Sequence, residues 1–392
     1  MNRFRFNPLF ALLVYGFVFA IFPLTTQQAA EKVNLVRMPN NGIQPQAVMD
    51  ERGTLHLIYL AGDPAASDVF YLRRAPGKEF SMPIRVNSQT GSAIAIGTIR
   101  GAQIALGKNG RVHVAWNGSN AAIPRSPNNS APLLYARLND ARSAFEAQRN
   151  LIHFTEHLDG GGSVAADKSG NVYAIWHAAG EQKGEPHRRI WMARSTDDGK
   201  TFARETAVDP ADSNGKTSGV CACCGLRAFV NQQGKLFVLY RTATEMTERG
   251  MFLLTSNNQG KSFSGVRMDH WHLTTCPMSS TTMIQAKQTI GAWENNGQVF
   301  FGELDSLKKD APIAAPETTG KRKHPAIAVN SRGETILVWT EGTGWKKGGS
   351  LAWQVFDRNG KPTAEKGSAS DVPVWGLATV VAETDGSFSI IY

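Results

Sequence analysis

The chain has 392 residues, of which 42% are hydrophobic and 19% are charged, and this composition excludes a disordered or low-complexity protein. Lys and Arg outnumber Asp and Glu by 42 to 33. The resulting net charge of +9 favours an anionic partner such as an acidic glycan, a membrane surface or a nucleic acid. Cysteine occurs four times, which excludes a small disulfide-rich scaffold.

The N-terminus has the pattern of an export signal. Arg3 and Arg5 precede an almost wholly apolar run over residues 9–24, which is shorter than the roughly 20 residues of a transmembrane helix. We predict a secretory signal peptide over residues 1–30, with an uncleaved membrane anchor as the alternative. Residues 31–392 are then expected to form a single exported domain, periplasmic or extracellular, with no further membrane span.

The rest of the chain repeats one pattern of paired strands. Each copy reads as a short apolar strand, a turn, and a second strand that ends in an aromatic residue, with side chains alternating at period two. Helical periodicity is nearly absent, and a third apolar strand follows most pairs. The copies lie at residues 46–59, 102–116, 163–176, 227–240, 281–293, 326–339 and 378–392.

Repeats of about 50–65 residues built from four strands are the signature of a β-propeller. The seven pairs therefore predict an all-β propeller of seven four-stranded blades, with six blades as the alternative if one pair caps the ring. The last pair ends at residue 392 and lacks outer strands. Residues 33–38 can supply one of them, which would close the ring.

Two further segments carry a turn motif. Residues 195–202 read Ser-Thr-Asp-Asp-Gly-Lys-Thr-Phe, and residues 256–263 repeat this pattern with Asn258 in the Asp position. Both segments resemble the Asp box, or BNR repeat, of the sialidase-like β-propellers. The Asp and Gly of this box form a tight turn and its aromatic residue packs under the sheet. The resemblance therefore implies the fold, over nearly the whole chain after the signal.

The resemblance implies only part of a sialidase active site. Sialidases hold a carboxylate with three arginines, whose bidentate geometry suits it, and use a Tyr nucleophile helped by Glu together with an Asp acid/base. The place of the family's Arg-Ile-Pro motif reads Ile-Gln-Pro at residues 43–45, and no convincing Tyr–Glu pair is found. Asp63 and Asp68 fall where the acid/base lies in the family. Enzymatic activity is therefore left open.

Loops on a rigid scaffold carry function, and the long loops here lie at residues 117–132, 178–189 and 209–224. In a propeller they share one face with the loops that enter the inner strands, which we call the funnel face. Residues just before the inner strands should ring the axial funnel. The candidate ligand-binding residues are Arg100, Arg227, Arg241, His324 and Trp375, and the candidate catalytic residues are Asp63, Asp68 and Arg241.

All four cysteines fall on the predicted funnel face. Cys221, Cys223 and Cys224 precede one inner strand and Cys276 precedes the next, so neighbouring blades should bring them together. The two segments resemble a CxCC…CP pattern of uncharacterised secreted sialidase-like propellers, and that resemblance implies no established function.

Three interpretations of the cysteines stay open. In an exported protein they can form disulfides. As thiolates they can bind a soft metal, copper or zinc, with His272 completing the site. A reactive redox thiol is the third interpretation.

The sequence as a whole predicts an exported sialidase-like propeller that binds an anionic glycan at its axial funnel, with hydrolysis as a hypothesis. One alternative is a metal-binding or redox protein that uses the cysteine cluster. The other is a non-catalytic propeller that binds glycans or proteins. A nucleic-acid partner is not expected, because no helix or aromatic–basic platform supports one.

Overall fold

The computed structural model describes residue 1 and residues 32–210, 217–305, 311–317 and 321–392. The predicted signal peptide lies outside these ranges, apart from Met1. Within them, 27 strands form seven sheets, and 3-10 turns occur at Pro39–Asn41, Lys108–Gly110, Pro127–Asn129 and Glu185–His187. In the same ranges, no helix has the length and apolar character needed to cross a membrane.

The sheets are the blades of a propeller, and in six of them four antiparallel strands follow one another in chain order. The first strand of the chain, β1 (Val33–Val36), belongs to the last blade. Blade 1 contains β2 (Ile43–Met49), β3 (Leu55–Asp63), β4 (Ala66–Arg74) and β5 (Ile84–Arg85). Blade 2 contains β6 (Gln103–Leu106), β7 (Val112–Asn117), β8 (Leu133–Arg137) and β9 (Arg149–Asn150). Blade 3 contains β10 (Ser163–Ala166), β11 (Val172–Ala178), β12 (Arg189–Ser195) and β13 (Thr206–Ala207).

The remaining blades continue around the ring. Blade 4 contains β14 (Arg227–Val230), β15 (Leu236–Arg241), β16 (Met251–Ser256) and β17 (Ser264–Arg267). Blade 5 contains β18 (Thr282–Gln285), β19 (Thr289–Asn295), β20 (Gln298–Glu303) and β21 (Ile313–Ala314). Blade 6 contains β22 (Arg322–Val329), β23 (Thr335–Glu341), β24 (Gly349–Phe356) and β25 (Pro362–Val372). The inner strands of neighbouring blades, β2, β6, β10, β14, β18, β22 and β26, contact each other in sequence.

Blade 7 closes the ring with three strands: β26 (Thr379–Ala382), β27 (Phe388–Ile391) and β1. Strand β1 runs parallel to β27, with Val33 opposite Phe388 and Val36 opposite Ile391. The Tyr392 N–H donates to the Val36 carbonyl at 3.0 Å. The predictions of seven blades and of an outer strand supplied by residues 33–38 are therefore confirmed, although this blade has three strands instead of the expected four.

The core lies between the blades. Strands β7, β11 and β15 are buried along their whole length, because each is the second strand of a blade and neighbouring blades cover both of its faces. Trp116 and Trp176 lie in these second strands and are almost fully buried. Both are therefore core residues.

Residues 195–202 and 256–263 form the same turn between the third and fourth strands of blades 3 and 4. Ser195 Oγ donates to Asp197 Oδ1 at 2.7 Å and accepts from the Gly199 N–H at 2.9 Å. In the second turn Ser256 Oγ donates to Asn258 Oδ1 at 2.9 Å, so the amide oxygen takes the place of the carboxylate. Phe202 packs edge-on against Tyr135 of blade 2, which joins neighbouring blades.

Candidate functional site

The propeller axis is open inside the ring but closed at the funnel face. A cavity of about 370 Å³ runs between the inner strands, from Gln46 and Arg227 to Met49 and Ala382. Towards the funnel face, the described residues enclose two cavities of about 20 Å³ each. Each has room for about one water molecule. Side chains such as those of Ile99 and Leu377 therefore close the axis at the end where the sequence predicts a ligand funnel.

Arg227 lies on the axis and lines all three of these cavities. Its Nε donates to the Thr281 carbonyl at 3.3 Å and one terminal nitrogen donates to Gln46 Oε1 at 2.8 Å. Burial lowers the pKa of Arg227 to about 10. In the described ranges no carboxylate lies within 4.0 Å of its guanidinium.

The other two arginines of the predicted clamp have separate neighbours. Arg100 forms an ion pair with Asp159 and donates through Nε to the Asp159 carbonyl at 2.9 Å. Arg241 is 2% exposed, donates to the carbonyls of Arg249 and Glu294 at 2.7 and 2.6 Å, and lies 4.7 Å over the Trp271 ring. Arg227 alone of the three lines the axial cavities, so the structure does not bring the three guanidinium groups together there.

The two predicted acid/base residues hold turns of blade 1. Asp63 Oδ1 accepts from the Ala65 N–H at 2.9 Å in the turn between β3 and β4. Asp68 Oδ1 accepts from Asn87 Nδ2 and from the Gly91 N–H, both at 2.7 Å. These contacts order the loop after β5 and give Asp68 a structural role.

His324 and Trp375 pack into the closed axial end. His324 is buried, its Nδ1 lies 3.0 Å from Ser280 Oγ, and burial lowers its pKa to about 3, so the imidazole is neutral. Trp375 is buried edge-on against Trp345 at 4.7 Å, and its carbonyl accepts from Gln44 Nε2 at 3.0 Å. His324 lines one of the two small axial cavities, whereas Trp375 lies beside this end of the axis and lines none of the three cavities.

The four cysteines meet at the rim between blades 4 and 5. Cys223 and Cys276 form a disulfide, which is one of the interpretations left open by the sequence. Cys221 and Cys224 are buried free thiols whose sulfurs lie 3.3 Å apart, and Cys221 Sγ lies 3.5 Å from Cys223 Sγ. Among the described residues, Cys221, Cys223 and Cys224 are the one group of side chains close enough to share a metal ion. The predicted ligand His272 is exposed and does not belong to this group.

A tight turn holds the two thiols in place. The Cys224 N–H donates to the Cys221 carbonyl at 3.3 Å, and the Ala222 N–H donates to Glu185 Oε1 at 2.7 Å. Gly160 lies against this turn, where a Cβ would collide with the Cys224 carbonyl. Cys221 and Cys224 are thus the ends of a C-x-x-C motif, a spacing present in the sequence Cys-Ala-Cys-Cys that the sequence interpretation missed.

Buried arginines surround the thiols with positive charge. Burial acts to raise the pKa of Cys224, but the hydrogen bond from Cys221 and the charge of Arg241 outweigh it and hold that pKa at about 7. The pKa of Cys221 is raised, because Cys221 donates this hydrogen bond and is itself buried. Arg249 pairs with Glu185 at 2.8 Å, while its Nε and one terminal nitrogen are buried without an acceptor.

A cavity of about 890 Å³ lies off the axis, beside the cysteine turn. We call it the blade-3 cavity. It lies between the chain segment before β10 and the long loop after β11, and Ala222 of the cysteine turn forms part of its wall. Its main walls are formed by residues 154–157, 179–185, 188, 189 and 191.

The blade-3 cavity combines aromatic rings with a buried cation. Phe154 and Trp191 pack edge-on at 5.3 Å in its wall. Arg188 is 7% exposed and donates to the His157 carbonyl at 2.7 Å and to His177 Nδ1 at 3.0 Å. Its Nε is buried without an acceptor, and burial lowers its pKa. No carboxylate of the described part of the chain lies within 4.0 Å of this guanidinium.

The sequence analysis marked the loop at residues 178–189 as functional but did not single out Arg188. The only signal was the position of two consecutive arginines, Arg188 and Arg189, where this loop enters β12. Arg189 forms an ion pair with Asp209 at 2.8 Å and Arg188 does not, and this difference cannot be read from the sequence.

No known protein family matches the sequence, and no curated protein matches it. Among solved structures, the chain is similar to a protein of unknown function from Dyadobacter fermentans DSM 18053, with 13% identity and a TM-score of 0.51 over 80% of this chain and 94% of that one. It is also similar to the NanB sialidase of Streptococcus pneumoniae, with 11% identity and a TM-score of 0.51 over 85% and 68% of the two chains.

A third similar structure is a fungal alcohol oxidase of the AA5 family in complex with copper, with 10% identity and a TM-score of 0.50 over 88% and 69% of the two chains. At such identities these likenesses show the fold alone. The chain therefore has an all-β propeller fold similar to that of a sialidase, the fold that its Asp-box resemblance implied.

Proposed function

We propose that the protein is a carbohydrate-binding propeller that holds an anionic sugar in the blade-3 cavity. The observation that carries this proposal is Arg188, a buried guanidinium that lines the blade-3 cavity and has no carboxylate partner among the described residues. A buried charge is costly unless it is paired, so a carboxylate or sulfate from a ligand would complete this site.

The aromatic wall supports a sugar as the carrier of that charge. Pyranose rings present apolar C–H faces and polar hydroxyl edges. Phe154 is 38% exposed, with the Arg204 guanidinium 4.6 Å over its ring, while the indole N–H of Trp191 is buried without an acceptor. Similarity to a sialidase fold agrees with this class of ligand.

Hydrolysis is not part of the proposal. Glutamates 156, 181 and 185 line the cavity, but Glu185 pairs with Arg249 and accepts from the Ala222 N–H. Glu156 accepts from Asn128 Nδ2. Glu185 and Glu156 are thus engaged with other groups of the protein, which favours binding over acid/base catalysis.

The proposal is tested by calorimetric titration of the folded protein with glucuronate, galacturonate and N-acetylneuraminate, and with the neutral sugars glucose and galactose. A hydrogen bond to a charged group contributes about 1.5–3 kcal/mol, so an acidic sugar should bind roughly 10–150-fold more tightly than its neutral counterpart. Arg188→Gln should remove this preference.

Arg227→Gln is the matched control, because Arg227 also lacks a carboxylate partner but lies on the axis. Near-ultraviolet circular dichroism checks that both variants fold. Acidic-sugar binding that survives Arg188→Gln and disappears in Arg227→Gln would move the site to the axis and refute the proposal. Release of product from a bound glycan would show that the site also hydrolyses.

A further inference from the structure

The cysteine cluster places a dithiol in contact with a disulfide, and the sugar-binding proposal does not use it. Cys221 Sγ lies 3.3 Å from Cys224 Sγ on one side and 3.5 Å from Cys223 Sγ on the other. Cys223 is bonded to Cys276. The four sulfurs therefore form a chain from Cys224 through Cys221 and Cys223 to Cys276, with contact or a bond at each step.

We propose that this cluster is a thiol–disulfide exchange site, in which the Cys221–Cys224 dithiol exchanges with the Cys223–Cys276 disulfide and Cys276 exchanges with the disulfide of an external partner. Exchange proceeds by attack of a thiolate on one sulfur of a disulfide. Cys221 is the sulfur in position to attack Cys223, because the two lie 3.5 Å apart.

The internal steps balance without another reactant. Cys221 passes its proton to the Cys224 thiolate along their hydrogen bond and attacks Cys223 Sγ, which forms the Cys221–Cys223 bond and breaks the Cys223–Cys276 bond. Cys276 leaves as a thiolate. Cys224 gives up the proton, which passes to the Cys276 thiolate, and then attacks Cys221 Sγ and releases Cys223 as a thiolate. The inner pair has lost two electrons, and the outer pair has gained two electrons and the one proton that the inner pair held.

Exchange with a partner requires one sulfur at the surface, and the exposure of the four cysteines increases from the inner pair to Cys276. Cys221 and Cys224 are buried, Cys223 is partly exposed and Cys276 is exposed. An external disulfide can reach Cys276 but not the inner pair. The Cys276 thiolate attacks it and releases one partner thiol, and Cys223 then attacks Cys276 and releases the second. The net reaction oxidises the inner dithiol and reduces the partner disulfide to two thiols.

Arg249 provides the charge that such a step needs. Its guanidinium is buried and contacts Cys221, while Nε and Nη1 have no oxygen or nitrogen acceptor among the described residues. Negative charge on Cys221 during the exchange would turn the contact with this sulfur into a charge-assisted hydrogen bond.

The test is labelling of the folded full chain with N-ethylmaleimide without reductant, followed by peptide mass spectrometry. Exchange predicts that Cys276 is labelled first, although Cys221 and Cys224 are the free thiols, because exchange releases the Cys276 thiolate at the surface. Cys221→Ser should slow this labelling by at least about tenfold, since it removes the attacking sulfur. Cys224→Ser should still label Cys276 and should accumulate a Cys221–Cys223 disulfide.

Glutathione disulfide serves as the external partner. It should convert the inner pair to a Cys221–Cys224 disulfide in the wild type, and about tenfold more slowly in Cys276→Ser, which has lost the exposed sulfur. Maleimide found only on Cys221 and Cys224 with the outer disulfide intact would overturn the proposal. The proposal would also be overturned if plasma mass spectrometry found near-stoichiometric zinc or copper bound by the four cysteines as thiolates. The labelling pattern of the wild type tests the proposal even if none of the variants folds.

Discussion

The axial end and the blade-3 cavity lie on the same face of the propeller, and each holds an arginine without a carboxylate partner in the described residues. They differ in space and in lining. The axial end has only two cavities of about 20 Å³, whereas the blade-3 cavity holds about 890 Å³. An unpaired cation therefore marks a ligand site only where there is room for the ligand's other atoms.

The difference comes from what the loops do at each place. At the axis, the side chains of Ile99 and Leu377 line the small remaining cavity, and Trp375 is buried beside it. In blade 3, the long loop after β11 leaves the blade, so the rings of Phe154 and Trp191 remain as a wall with open volume beside it. The ring fold thus leaves the location of the ligand site to its loops.

Replacing a tryptophan in each region should produce the largest effect. Trp375→Ala removes a buried ring from the filled axial end and should cost about 3–5 kcal/mol in the free energy of unfolding, with sugar binding kept. Trp191→Ala should cost less stability but abolish sugar binding, because its ring is only partly buried in the cavity wall. Urea denaturation and calorimetric titration measure both. Equal stability losses would mean that the two regions are packed alike.

The second prediction concerns pH and compares His177 beside Arg188 with His324 at the axial end. Burial lowers the pKa of each to about 3, so each binds its proton in the unfolded chain near pH 6.5 but in the folded protein only near pH 3. The unfolded state then binds more protons between these values, and stability should fall as the pH drops from about 6.5 towards 3.

The slope should be about 1.4 kcal/mol per pH unit for each histidine within that window. His177→Gln and His324→Gln should each remove the contribution of one histidine to this slope, as measured by urea denaturation at several pH values. A slope unchanged in either variant would show that the histidine concerned is not buried as a neutral group.

The smallest effect is expected from Arg227→Gln. Replacement of a buried charge that has no countercharge is neutral or stabilising, so the free energy of unfolding should rise by no more than about 1 kcal/mol. Thermal and urea unfolding of this variant beside the wild type measure the change. A large loss of stability would mean that Arg227 has an anionic partner on the axis, and would weaken the contrast with Arg188.

Much of the fold could be predicted from the sequence, because a propeller is built from local patterns. Period-two strands, the turn of residues 195–202 and the copy with Asn258 each depend on neighbours in the chain. Ring closure by residues 33–38 could also be predicted, since the last pair lacked outer strands. The three-stranded form of blade 7 could not, because it depends on how β1 pairs with β27.

The sites could be predicted only by region. The sequence placed the four cysteines on one rim and marked the loop at residues 178–189, and both contribute to the wall of the blade-3 cavity or lie beside it. It could not choose between Arg188 and Arg227, because their difference is the packing of side chains from distant loops. The sequence also could not show that Cys276 forms its disulfide with Cys223. Cys221 and Cys224 lie in the same short turn and are alternative partners.

A crystal structure of the protein with a bound acidic sugar, glucuronate or whichever binds most tightly by calorimetry, tests the central claim most directly. We predict density for the sugar in the blade-3 cavity, with its carboxylate on the guanidinium of Arg188 and its ring against Phe154 or Trp191. Density for the sugar on the axis at Arg227, with the blade-3 cavity holding only water, would contradict this account.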